Sequence, residues 1–173
     1  LSEGDYLSLM ASDPKKYHFP KGMDAKVLFQ LSEGNPGITL EVCDEKGEAE
    51  PQSAMDFWNI LTHDAMPFAT LSAMELGERK DFLRRLRWIR LVGRDIMVIA
   101  ETGDASLSRC GSVAGREASL ASFWDRGRGE EAMGVLQTAE TAVSRYINSK
   151  NVWDYILISL EHIQKGSQKW SRS

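Results

Sequence analysis

Apolar and polar positions change rhythm several times along this chain, and each rhythm predicts an element. Near the start, Tyr6, Leu7, Leu9 and Met10 follow Ser2 and Asp5, which stand at capping-box spacing, so a short first helix is expected, ended by Pro14. The run DPKKYHFPKG then reads as loop. In KVLFQL, Val27, Phe29 and Leu31 alternate with Lys26, Leu28 and Gln30. In ITLEVC, Ile38, Leu40 and Val42 alternate with Thr39, Glu41 and Cys43. Between the two runs lies SEGNPG, rich in residues that favour chain reversal. The pattern predicts a β-hairpin over 26–43. The acidic stretch DEKGEAEPQ follows as a solvated loop.

Ser53 and Asp56 repeat the capping spacing before MDFWNIL, which predicts a second helix, broken by Pro67. Ser72 and Glu75 then cap a long third helix over 73–92. Its core stripe is Leu71, Phe82, Leu86 and Ile89, with Leu83 at the margin. DIMVIAE, residues 95–101, is short, apolar and β-branched, and predicts a buried strand. From residue 112 the chain reads as helical: VAGREASLASFW, a break at DRGRG, a fifth helix lined by Met133, Leu136, Val143 and Ile147, an interruption at NSK, and a last helix over 152–165 ending at Gly166. SQKWSRS reads as a tail. The expected fold is one α+β domain over 1–166: a small antiparallel sheet, made of the N-terminal hairpin plus one buried strand, packed with about five to six helices, its C-terminal half helical.

Composition bounds the function. Hydrophobic content is 42% and charged content 27%, as in globular domains. A net charge of −4 and a pI near 5.5 disfavour a wholly basic nucleic-acid binder but leave room for a local basic patch. Cys43 and Cys110 are far apart and form no disulfide framework, so a reducing, intracellular setting (cytoplasmic or nuclear) is expected. No apolar run approaches the roughly 20 residues that span a bilayer. The N-terminal LSEGDYLSLMAS has neither a basic start nor a long apolar stretch, which argues against a signal peptide. A start at Leu1 suggests a piece of a longer protein.

Cys110 and Arg116 have the spacing of the phosphate loop in cysteine-dependent phosphatases, where a thiolate attacks phosphorus and the arginine holds the oxyanions. This segment resembles that family over about seven residues. In the family a His precedes the Cys and a Ser or Thr follows the Arg. Here Arg109 and Glu117 occupy those places, and the expected strand ends near Glu101 instead of leading into the Cys. A chance match with a small buried cysteine is the better account.

The helix ERKDFLRRLRWIR places Lys80, Arg84 and Arg87 at i, i+4 and i+7 on one face, with Trp88 on its flank. Arg79 can pair with Glu75, and Asp81 with Arg85 or Arg84. Such a stripe is either a solvated face, a surface met by the acidic DEKGEAE loop, or a binding site for RNA, another polyanion or an acidic partner. In the last helix, Val152, Trp153, Ile156, Leu160 and Ile163 form one apolar face, and Tyr155, Ile158 and His162 fall roughly opposite. A helix apolar on two sides is either sandwiched in its own domain or offers a face to a partner.

His18, His63 and His162 have no metal-ligand spacing, and His63-Asp64 reads as an exposed helix end. No nucleophile elbow, nucleotide loop or dinucleotide fingerprint is present. No catalytic set, metal or cofactor is therefore expected. The expected function is protein–protein interaction or regulation, with self-association included. RNA or polyanion binding through Lys80, Arg84 and Arg87 is the alternative, and the phosphatase a third.

Overall fold

In the computed structural model, residues 1–17, 25–32, 34–42, 50–110 and 113–166 are described, and they form nine α-helices with no strand among them. The helices are α1 (Glu3–Ser12), α2 (Ala25–Leu31), α3 (Pro36–Val42), α4 (Glu50–His63), α5 (Pro67–Ser72), α6 (Arg79–Thr102), α7 (Ala114–Leu120), α8 (Arg126–Ser144) and α9 (Ser149–Gly166). Cys43, His18, the acidic stretch 43–49 and the tail 167–173 lie outside the described residues.

The all-helical architecture corrects the expected α+β fold at two places. Residues of the predicted hairpin form α2 and α3. Gly34 and Asn35 stand between two helices, not between two strands. Asn35 accepts the N–H of Gly37 at 2.9 Å, its carbonyl takes the N–H of Thr39, and Pro36 opens α3. Asn before Pro is a helix-start signature, because Pro has no N–H to satisfy and its φ suits the first turn. Val27 and Leu28 are adjacent and both buried, which a half-buried strand does not allow.

The predicted buried strand DIMVIAE is the last two turns of α6. Phe82, Leu86, Ile89, Val92, Ile96 and Ile99 are all buried, a stripe that keeps helical spacing through the segment. Gly93 stands between the expected helix and the expected strand. It is a packing position: a Cβ there would stand 2.3 Å from Cζ2 of Trp58 and 2.7 Å from Cε of Met133. The indole N–H of Trp58 donates to the Ile89 carbonyl at 2.8 Å, locking α4 against that notch.

Of the three expected capping pairs only the first marks a helix start; Ser53 and Asp56 lie inside α4, which begins at Glu50. Ser2 caps α1 by accepting the N–H of Asp5. The long helix begins later than Ser72, at a capping box formed by Glu78 and Asp81, and ends on Gly103 at φ 70°. The break expected at DRGRG lies earlier, between Leu120 and Arg126: Asp125 caps α8 by accepting the N–H of Arg128, residues 126–129 form its first turn, and Gly129 lets Met97 of α6 approach α8. Asn148 accepts the N–H groups of Lys150 and Asn151 at the start of α9.

The core runs from Tyr6 to Ile163 around α6, which packs on α4, α7 and α8, while α8 and α5 pack on α9. Trp58, Trp88, Trp124 and Trp153 are among its largest fully buried side chains. Trp153 sits between Phe57 and Phe82 with ring centroids 5.6 and 5.9 Å away, and its N–H donates to the Leu71 carbonyl at 3.0 Å. Buried aromatic pairs of this kind add about 0.5–1.5 kcal/mol each beyond their area. Among the described residues no helix is long and apolar enough to cross a membrane.

Candidate functional site: an arginine-lined pocket and an exposed helix face

The predicted basic stripe on α6 divides along its length. Lys80 is exposed, 3.7 Å from Glu78. Arg84 is buried and held by Asp81 at 3.0 Å and Glu50 at 3.5 Å. Glu50 is the last residue of the acidic DEKGEAE run, which was one of the alternatives for meeting the stripe. Trp88 is fully buried in the core, so it offers no stacking surface. Arg87 is half-buried and ion-paired to Glu140 of α8 at 3.3 Å.

The basic surface lies one to two turns further on. Arg87, Arg90 and Arg94 project from α6 into a pocket of about 270 Å³, which Arg109 and Gln30 also line and Leu91 and Met133 floor. Arg90 shares Glu140 with Arg87, at 3.3 Å. Arg94 donates to Asp95 at 3.0 Å. Arg109 arrives from the turn before α7, and Asp95 places that turn. The Asp95 carboxylate is fully buried; its Oδ2 accepts the backbone N–H of Arg109 at 2.7 Å, that of Cys110 at 3.1 Å and the Ser108 hydroxyl at 3.4 Å. The guanidinium of Arg109 has no hydrogen-bond or ion-pair partner among the described residues. Burial and the neighbouring Arg94 pull its pKa down, while Asp95 and Cys110 oppose them.

Arg90 and Arg94 were legible in the sequence, since with Arg87 they stand at i, i+3 and i+7. Ending the helix at Val92 put Arg94 in a different element and hid the stripe. Arg109 comes from another segment, and no local pattern brings it here.

Beside the pocket, the ligand atoms of Asp95, Cys110 and Glu117 lie within 4.8 Å of one another, all buried. Asp95 is already engaged by four donors, and two guanidiniums stand near it, so the cluster suits a hydrogen-bonded hub better than a cation cage. Glu117 is fully buried with neither carboxylate oxygen hydrogen-bonded in good geometry. Burial pushes its pKa up to about 8; the Ser108 hydroxyl pulls it back and Asp95 adds to the rise.

The phosphatase-like pair is not assembled. The Cys110 thiol is pushed up by burial, then by Asp95 and Glu117, against the pull of Arg109. A nucleophilic thiol needs the opposite shift. Arg116 instead reaches α4, donating to Asp56 at 2.5 Å and Gln52 at 2.9 Å. His63 is exposed, and Asp64 turns away from it to accept the N–H of Met66 and the Thr70 hydroxyl.

On α9, Val152, Trp153, Ile156, Leu160 and Ile163 are buried, whereas Tyr155 is 44% and Ile158 60% exposed and His162 is also exposed. Met66, 64% exposed, Phe68, Ile158 and His162 line a groove of about 510 Å³ between α5 and α9.

No protein-family model, curated protein or solved structure matches this chain.

Proposed function

We propose that the protein is an interaction domain that self-associates through the outer face of α9. The observation that carries this reading is the exposure of Tyr155, Ile158 and His162 opposite a fully buried face of the same helix. These residues stand at i, i+3 and i+7, the spacing at which one helix meets another. The surface also carries both a ridge, Tyr155 and Ile158, and beside it a groove lined by Met66 and Phe68. A two-fold axis through Ile158 sets two copies of α9 antiparallel, with Asp154 of one copy opposite His162 of the other and Tyr155 opposite Glu161. Closed two-fold pairing of this kind uses the same patch on both copies.

Light scattering coupled to size exclusion, from micromolar to hundreds of micromolar protein, tests the reading. The expected result is a dimer that persists at high salt and becomes monomeric in Ile158→Asp with unchanged helical circular dichroism. A monomer at every concentration, or a dimer indifferent to Ile158→Asp, rules it out.

A further inference from the structure

We infer that the pocket between α6, α8 and the 108–110 turn is a binding site for a terminal phosphate group carried on a small ligand or a modified side chain. The inference starts from Arg109. Its guanidinium is partly withdrawn from water, stands next to that of Arg94, and has no partner among the described residues. Among the described residues, the carboxylate that meets both arginines is Asp95. One of its oxygens is occupied by Arg94, the other by the Ser108 hydroxyl and the N–H groups of Arg109 and Cys110. A partly desolvated cation beside a like charge is costly, and a bound anion removes that cost.

The form of the pocket selects the anion. Arg87, Arg90, Arg94 and Arg109 all border one cavity of about 270 Å³. A single guanidinium fork saturates the two oxygens of a carboxylate, whereas a terminal phosphate presents three oxygens and can be held by several forks at once. Among the described lining residues none is aromatic, so a nucleic-acid base finds no stacking platform there, and Trp88 is fully buried. Leu91 and Met133 give an apolar floor for the carrier of the phosphate. The net charge of −4 also disfavours a long polyanion, which would feel the whole surface, more than one small anion held locally.

The site is independent of self-association through α9. Isothermal titration and thermal shift with inorganic phosphate and phenyl phosphate, against chloride at matched ionic strength, test it. A phosphoserine peptide and a short single-stranded RNA form the other arms. The expected result is binding of phosphate and phenyl phosphate that weakens roughly tenfold to a hundredfold in Arg109→Gln, the range for losing one charged hydrogen bond. Arg109→Gln removes a side chain with no partner and relieves the repulsion from Arg94, so its melting temperature without phosphate is expected to equal or slightly exceed that of the wild type. Glu140→Gln, which takes a negative charge from beside Arg87 and Arg90, is expected to tighten phosphate binding, a gain that misfolding cannot produce. Peptide binding that follows the same variants identifies a modified side chain as the source, and phenyl phosphate binding without it identifies a small ligand. Phosphate no better than chloride, affinity equal in Arg109→Gln, or Arg109-dependent binding of RNA alone would each overturn the inference.

Discussion

Asp95 on α6 accepts the backbone N–H of Arg109 at 2.7 Å, across 14 residues of chain. With the N–H of Cys110 on the same oxygen, this bond holds the turn before α7 against α6 and brings Arg109 beside Arg94. A buried carboxylate that accepts backbone N–H groups is costly to lose, because the donors stay buried without partners. Asp95→Ala is expected to cost about 2–4 kcal/mol in urea denaturation. Asp95→Asn keeps one carbonyl acceptor and is expected to lose less. Equal stability of all three proteins would show that the turn is held by other means.

Two glycines on the crossing pair α6 and α8 are expected to respond oppositely to alanine. At Gly93 a Cβ meets Trp58 at 2.3 Å, so Gly93→Ala is expected to destabilise by about 1–3 kcal/mol despite alanine's better helix propensity. At Gly134, exposed within α8, nothing lies within 4 Å of the added Cβ. Gly134→Ala is expected to stabilise by about 0.5–1 kcal/mol. Thermal melts of the two variants provide the comparison, and a stabilising Gly93→Ala contradicts the close approach of α4 to α6.

Glu117 makes stability depend on pH. Its carboxyl keeps a proton in the folded state up to about pH 8, whereas an unfolded glutamate ionises near 4.5. Between those values the native state binds the extra proton, so this group's contribution to stability falls as pH rises and levels off above the folded pKa. Glu117→Gln removes the titration. The variant is expected to gain on the wild type steadily across the window, by on the order of a few kcal/mol at its upper end. Parallel stability curves for the two proteins would mean that Glu117 is ionised in the fold.

Tyr6 and Thr39 share a buried hydrogen bond of 2.6 Å that ties α1 to α3. Tyr6→Phe leaves the ring in place beside Phe29 and is expected to cost about 1 kcal/mol. Hydrogen exchange is the sharper readout, with faster exchange expected in α3 and little change in α9. A uniform change across the chain would place α3 in the same cooperative unit as the rest of the core.

The parts of the fold legible in sequence are those whose causes are local. The Ser2 cap of α1 depends on neighbouring residues, as does the apolar face of α9 from Val152 to Ile163. The outward position of Tyr155, Ile158 and His162 follows from helical geometry once that face is recognised. Residues 26–31 and 38–43 were misread because six-residue apolar runs fit both a strand and a short helix. The Asn35–Pro36 start and the adjacent buried pair Val27 and Leu28 carried the helical signal. In α6, a β-branched run after Gly93 imitated a strand, which set Arg94 outside the helix that carries Arg87 and Arg90.

The sequence by itself determined the amphipathic stripes, the Ser2 cap of α1 and the surplus apolar face of α9, because spacing along a helix translates directly into shared faces. Tertiary structure decided the rest. Isolated helices as short as α2 and α3 are unstable in water, so packing on α1 and α6 selects their conformation. Gly93 belongs inside a helix because Trp58 fills the space its side chain would occupy. Arg109 joins Arg94 because a buried carboxylate 14 residues earlier takes its backbone N–H. Each of these depends on groups that meet only when the core closes, and no local period along the chain encodes them.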